Sequence, residues 1–190
     1  MKHIFVFALV LSINLTAFSQ ETTKPANKDN IGDFTALNDA GILWKSSEVK
    51  APFLVVYFYP AAMTSGCTKE AISYRNDKPT LEKMGVTIVG VSGDEVKNLK
   101  HFKESYHLNF TLLSDAEGKI ANKFGVPTST GGSITKAFNG NSFLLTRGIT
   151  ASRWTFVLDK NRKIIYKNSD VNAAEDSKNI INIISKIQQH

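Results

Sequence analysis

The stretch Phe53-Leu54-Val55-Val56-Tyr57-Phe58-Tyr59-Pro60-Ala61-Ala62-Met63-Thr64-Ser65-Gly66-Cys67-Thr68-Lys69-Glu70-Ala71 decides the fold. Its opening run is apolar and aromatic without a break and stops at Pro60, which reads as a central strand buried on both faces. Past Pro60 the period changes. Ala71 and Tyr74 follow Cys67 at i+4 and i+7, so a helix begins around the cysteine. A strand feeding a helix opens an α/β unit, and such units hold their ligands at the carboxyl ends of the strands. Cys67 falls at that end. On the first turn of a helix, unpaired N–H groups and the positive pole of the macrodipole favour a thiolate.

The same reading extends along the chain. Val86 to Val91 is a second buried strand. Ser92 and Glu95 have capping-box spacing before Val96, Leu99 and Phe102, which share one helical face. Leu108 to Leu113 is a third strand, and Ser114 with Glu117 gives another S-x-x-E start to a short helix that should end at Gly125 before Pro127. Thr128 to Ser142 is rich in Gly, Ser, Thr and Asn, and predicts a surface excursion with a small hairpin. Trp154–Leu158 and Lys163–Tyr166 flank Asp159-Lys160-Asn161-Arg162 as an antiparallel hairpin. Ile180, Ile183, Ile184 and Ile187 make a closing amphipathic helix. The fold class is therefore α/β: a central mixed β-sheet flanked by helices, parallel in its early half, which suits a thioredoxin-like fold.

Composition narrows the function. The 190 residues, 42% hydrophobic and 21% charged, suit one globular domain large enough to bury a core unaided. Cys67 is the single cysteine, so the sequence has no internal disulfide, CxxC pair, Cys-rich zinc site or iron–sulfur cluster. The formal charge of +6 permits acidic partners. Yet the basic groups Lys97, Lys100, Lys103 and Lys160, Arg162, Lys163 are interrupted, and nucleic-acid binding is not expected.

Met1-Lys2-His3, an apolar run from Ile4 to Leu15 and Ala17-Phe18-Ser19 before Gln20 have the order of a secretory signal peptide over residues 1–19, cleaved after Ser19. The run falls short of the ~20 apolar residues of a spanning helix, so no stable membrane insertion is expected, and an uncleaved membrane anchor is the rival reading. Residues 20–30 read as a flexible leader and 31–190 as the domain. The expected location is the periplasm or the exterior, where a lone thiol points to a free reactive group or to pairing between molecules, with a small buried core residue as the plain alternative.

Pro60-x-x-x-Thr64-x-x-Cys67 resembles the peroxiredoxin active-site pattern without a gap. Val56–Pro60 and Gly66-Cys67-Thr68-Lys69-Glu70-Ala71 are similar to the peroxiredoxin Q group, also called bacterioferritin comigratory protein. The likeness continues at Gly32-Asp33-Phe34, Val89–Ser92, Leu113-Ser114-Asp115, Phe124–Pro127 and Arg153-Trp154-Thr155-Phe156. It implies a thiol-dependent peroxidase that reduces hydrogen peroxide and small organic hydroperoxides, with no metal, flavin or nucleotide cofactor. Cys67 would be the nucleophile that becomes a sulfenic acid. Thr64 would hold the peroxide, Pro60 shield the sulfur, and Arg153 stand beside the thiolate.

The residues leave alternatives beside these roles. Thr64 would serve equally as a helix cap and Pro60 as a strand stop. Arg147 competes with Arg153 as the active-site arginine. Glu70 and Arg75 could form a supporting ion pair, and Trp44 and Trp154 read as core or crevice-lining residues. His101 and His107, six apart, do not share a helical face and read as packing or surface residues. Many members of the group carry a second, resolving cysteine five residues after the first; here that position is Ile72. Regeneration therefore calls for an external thiol, either a thioredoxin-like protein or a small thiol. The rival reading is a non-catalytic thioredoxin-fold redox sensor or binding protein that uses Cys67 for mixed disulfides. Oligomeric state is not legible.

Overall fold

The computed structural model describes residues 29–189, so the expected signal peptide and nearly all of the leader lie outside the described residues. Strand β3 (Phe53–Phe58) has the burial its sequence demands: every residue from Leu54 to Phe58 is buried. Its side chains alternate between two cores, as a strand's must. Val55 and Tyr57 point into one, and Leu54, Val56 and Phe58 into the other. Strand β4 (Val86–Ser92) repeats this, with Val86 and Ile88 on the first face and Val89 and Val91 on the second.

Helices α1 (Ser65–Lys83), α2 (Val96–Tyr106) and α4 (Asp176–Gln188) cover the first face through Ala71, Tyr74, Leu81, Leu99, Phe102, Ile180 and Ile184. The short helix α3 (Lys119–Phe124) covers the second with Ile120, Ala121 and Phe124, joined by Ile31 and Phe34. Two small strands, β1 (Thr35–Asn38) and β2 (Leu43–Lys45), complete one sheet edge; β5 (Thr111–Ser114), β8 (Trp154–Leu158) and β9 (Ile164–Asn168) supply the rest. The sheet runs β2-β1-β5-β4-β3-β8-β9, with β3, β4 and β5 parallel and β8 and β9 antiparallel. The expected α/β class and mixed sheet stand.

One position shows how tightly the first core is made. Gly90 on β4 lies in register with Tyr57 on β3, and a Cβ on Gly90 would come within 2.7 Å of the Tyr57 ring and hydroxyl. Only the missing side chain admits the phenol, which stacks on Tyr74 of α1 at 4.8 Å between ring centres.

Several local expectations need correction. The spacing at Ser92 and Glu95 is not a capping box: Ser92 ends β4 and donates Oγ–H to Asp94, while Glu95 is the N-cap of α2 with no side-chain capping bond. Ser114 likewise ends β5. Helix α3 begins after Gly118, and Asp115 caps it by accepting the Ile120 and Ala121 N–H groups at 3.0 and 2.8 Å. The third strand starts at Thr111, with Leu108 and Phe110 buried ahead of it.

The excursion at Thr128–Ser142 is half of a long hairpin. Strand β6 (Thr128–Phe138) turns at Asn139-Gly140 into β7 (Asn141–Ala151). It lies against α2, where Phe143 meets His101 at 4.5 Å and Phe138 meets Tyr106 at 5.1 Å. Inserted Leu145 and the Gly148 N–H bond to Gly93 O fasten it to the domain.

Candidate active site around Cys67

The loop leaving β3 descends through Pro60, Ala61, Ala62 and Met63 to Thr64, and α1 starts at Ser65. Met63 sits at φ 59°, a left-handed conformation uncommon for a side chain of its size, and it is buried. The loop is held open by Asp94. Its Oδ2 accepts the Ala62 N–H and the Ser92 hydroxyl, both at 2.8 Å. Pro60 is half-buried at the exit of the strand.

Thr64 occupies the N-cap position, but its side chain does not cap. Its Oγ–H goes back to Ala61 O at 2.9 Å, leaving the oxygen lone pairs for another donor. Cys67 stands on the first turn with 1% of its surface exposed, a free thiol inside the larger core.

Arg153 enters from the two-residue link between β7 and β8. Its Nη2 donates to Cys67 Sγ at 3.3 Å, and its Nη1 is paired with Glu70 Oε2. Glu70 lies one turn after Cys67 on the same face of α1 and is fully buried. Arg153 thus bridges the sulfur and the carboxyl across the fork of its planar guanidinium. Gly66 leaves space for it; a Cβ there would stand 3.4 Å from Nη2.

Burial pushes the Glu70 carboxyl up to about 8, Arg153 pulling it down and Asp176 adding to the rise. Burial also raises the Tyr57 and Tyr59 phenols well above their ordinary range, so both remain neutral against the site.

The fold brings Arg153 onto Cys67, with Thr64 at the N-cap of the same helix and Pro60 at the head of the loop that leads to it. Arg147 is not among them: it donates Nε–H to Thr150 at 2.8 Å, and its charge acts on Asp94. The Glu70–Arg75 pair does not form. Arg75 donates instead to Tyr106 O at 2.7 Å and to Asn76. His101 packs on Phe143, and His107 takes the left-handed C-cap of α2. Trp154 lies under Lys167 Nζ at 4.0 Å, and Trp44 packs on Phe34 at 5.5 Å. Glu70 as partner of Arg153 was missed by sequence reasoning, although its i+3 spacing from Cys67 was available as a signal.

Known proteins match most of this chain, the residues of this site included. The model of the AhpC/TSA family matches residues 28–167. This chain belongs to that family. Chloroplastic peroxiredoxin Q of Oryza sativa subsp. japonica is 37% identical over 134 residues, which is 70% of this chain but 54% of the rice protein. The chain thus spans about half the length of that relative. A putative peroxiredoxin bcp of Coxiella burnetii is 36% identical over 124 residues, covering 64% of this chain and 82% of that protein. Among solved structures, peroxidoxin BcpB of Mycobacterium tuberculosis superposes with a TM-score of 0.70 at 29% identity, covering 84% of this chain and 96% of the other. The peroxiredoxin fold is thioredoxin-like, and this peroxiredoxin is a single-cysteine variant of the Q and bcp group.

Proposed function

We propose that this peroxiredoxin is a thiol-dependent peroxidase acting on hydrogen peroxide and small organic hydroperoxides. The observation that carries the reading is the 3.3 Å contact from Arg153 Nη2 to the buried Cys67 Sγ, at a helix start opened by Thr64. The thiolate attacks one peroxide oxygen, the O–O bond breaks, and sulfur is oxidised to a sulfenic acid while the second oxygen leaves as hydroxide or alkoxide and takes a proton. Thr64 Oγ, its hydrogen committed to Ala61 O, accepts from the peroxide O–H and aligns O–O with sulfur. Arg153 supports the charge on sulfur and then on the departing oxygen. Pro60, with no N–H and a fixed φ, shields the sulfur from water.

Recycling runs through an external thiol, since Ile72 stands where a resolving cysteine would be and the sequence holds no other cysteine. One thiol condenses with the sulfenic acid, releasing water and leaving a mixed disulfide. A second thiol then attacks that disulfide and frees Cys67. The reductant is a thioredoxin-like protein or a small thiol. The order of residues at the N-terminus supports export to the periplasm or beyond, with residues 1–19 as the cleaved signal.

The test is a single-turnover reaction of reduced protein with one equivalent of hydrogen peroxide, with sulfenic acid trapped and located by mass spectrometry. Fast stoichiometric oxidation should vanish in Cys67→Ser and slow at least tenfold in Thr64→Val. Oxidation no faster than that of a free thiol would end the peroxidase reading in favour of a redox sensor or binding protein.

A further inference from the structure

Behind Arg153 lies a second buried acid that the reaction above does not use. Asp176 opens α4 and is 2% exposed. Its Oδ2 accepts the Tyr74 hydroxyl at 2.6 Å and the Thr155 hydroxyl at 2.7 Å, while Oδ1 has no partner among the described residues. Glu70 has the same asymmetry, with Oε2 on Arg153 and Oε1 unpartnered.

The layout is a ladder between α1 and the start of β8. Cys67, Glu70 and Tyr74 share one face of α1, spaced by three and four. Arg153 and Thr155, two apart, answer them. Arg153 takes Cys67 and Glu70, and Thr155 joins Tyr74 on Asp176. Two carboxyls thus face one guanidinium inside a single core.

Two such acids do not ionise together cheaply. Burial raises the Asp176 carboxyl too, but its two hydroxyl donors and Arg153 pull it back down. The positive end of α4 lies behind it, so Asp176 has the better claim to the negative charge. The other groups that act with Glu70 are Cys67 and Tyr74 on its own helix, Tyr57 and Tyr59 at the end of β3, and Arg153. The three phenols are neutral, each raised by burial.

We propose that Asp176 is a positioning residue for peroxide reduction: its buried negative charge keeps a proton on Glu70, so that the Arg153 guanidinium is left uncancelled beside Cys67. This rests on the peroxidase reading of the same site. If Glu70 ionised, its charge would offset that of Arg153, and the support offered to thiolate and leaving oxygen would weaken. Burial pushes Glu70 up to about 8, and Asp176 contributes to that rise. The consequence is an alkaline fall in the rate of Cys67 oxidation whose midpoint Asp176 sets.

The experiment follows oxidation of Cys67 by one equivalent of hydrogen peroxide in stopped flow from about pH 6 to 10. The parent, Asp176→Asn, Glu70→Gln and the double variant are compared. Asp176→Asn should move the alkaline midpoint down by about one pH unit. Glu70→Gln should abolish that limb, and adding Asp176→Asn to it should shift nothing further. A midpoint unmoved by Asp176→Asn would overturn the proposal. So would a loss that is equal at all pH values and persists in the Glu70→Gln background, because Asp176 would then only hold α4 in place.

Thr155→Val gives a milder variant should Asp176→Asn not fold. It removes one donor from Asp176 and should move the midpoint the same way. An infrared readout needs no turnover. A protonated-carboxyl band present in the parent and absent in Glu70→Gln should titrate at the same midpoint, lowered in Asp176→Asn; its absence from the parent at neutral pH would overturn the proposal. Failure of the protein to react with peroxide would remove the peroxidase reading, while this band would still report the proton on Glu70.

Discussion

Replacing Arg153 by methionine removes the guanidinium that reaches Cys67 Sγ at 3.3 Å while keeping a long side chain in its channel. Two unit charges about 4 Å apart gain about 4 kcal/mol at an effective dielectric near 20. The Arg153 side chain is 20% exposed, and water access lowers that figure to roughly 2–4 kcal/mol. Negative charge travels from sulfur to the departing oxygen during the reaction, so a cation that serves both keeps its value in the transition state. At 1.36 kcal/mol per tenfold, the oxidation rate should fall roughly 30- to 1000-fold. Glu70, which holds its proton below about 8 even beside Arg153, keeps it when the cation is gone and remains a neutral core group, so the fold should survive. Arg153→Lys retains a charge but not the planar fork that spans sulfur and carboxyl, and should lose less. The assay is stopped-flow oxidation at fixed pH, read through the fluorescence of neighbouring Trp154, with thermal unfolding as the folding control. A loss smaller than threefold in folded Arg153→Met would refute the electrostatic account.

Three further outcomes follow from the packing. Glu70 binds its proton up to about 8 in the folded chain and near 4.5 when unfolded, so its stabilising contribution is complete below about 4.5 and is lost as pH rises through about 8. Glu70→Gln should therefore gain thermal stability relative to the parent between pH 6 and 9, and parallel Tm curves would contradict this. Asp94→Ala leaves the buried Ala62 N–H without an acceptor, at a cost of about 1–3 kcal/mol, and frees the loop above Cys67. Denaturant unfolding should register the loss, and oxidation should slow with it; a neutral result in both would mean that the loop is held elsewhere. Gly90→Ala places a Cβ 2.7 Å from the Tyr57 ring and should cost about 1–3 kcal/mol, measurable as a lowered unfolding midpoint. An unchanged midpoint would show that β3 and β4 can separate locally.

The strand–loop–helix that carries Cys67 was legible because its signals are local. An unbroken apolar run, a proline and a change of period all occur within nineteen residues. Other features depend on contacts that no short window contains. Arg75 lies five residues after Glu70, about 140° around the helix, and cannot face it. The partner is instead Arg153, which only the fold brings near. Ser92 and Ser114 have the spacing of caps, but strand pairing claims them first, because β4 and β5 meet in register at these residues. The hairpin β6–β7 gave no clean alternation, since much of it is exposed and its hold on the domain is concentrated at Leu145 and a few aromatic contacts. Strands β1 and β2 are too short and too exposed to leave a periodic trace.

A sulfur with so little contact to solvent makes opposite demands on the two halves of a catalytic cycle. A peroxide is two oxygens wide and needs only slight breathing between Thr64 and Arg153 to touch the thiolate. A reducing thiol brings a whole molecule, and both Cys67 and Met63, in the loop before it, are buried. On the proposed reading, so buried a sulfur would sort its two reactants by size, admitting a small peroxide more readily than a bulky thiol.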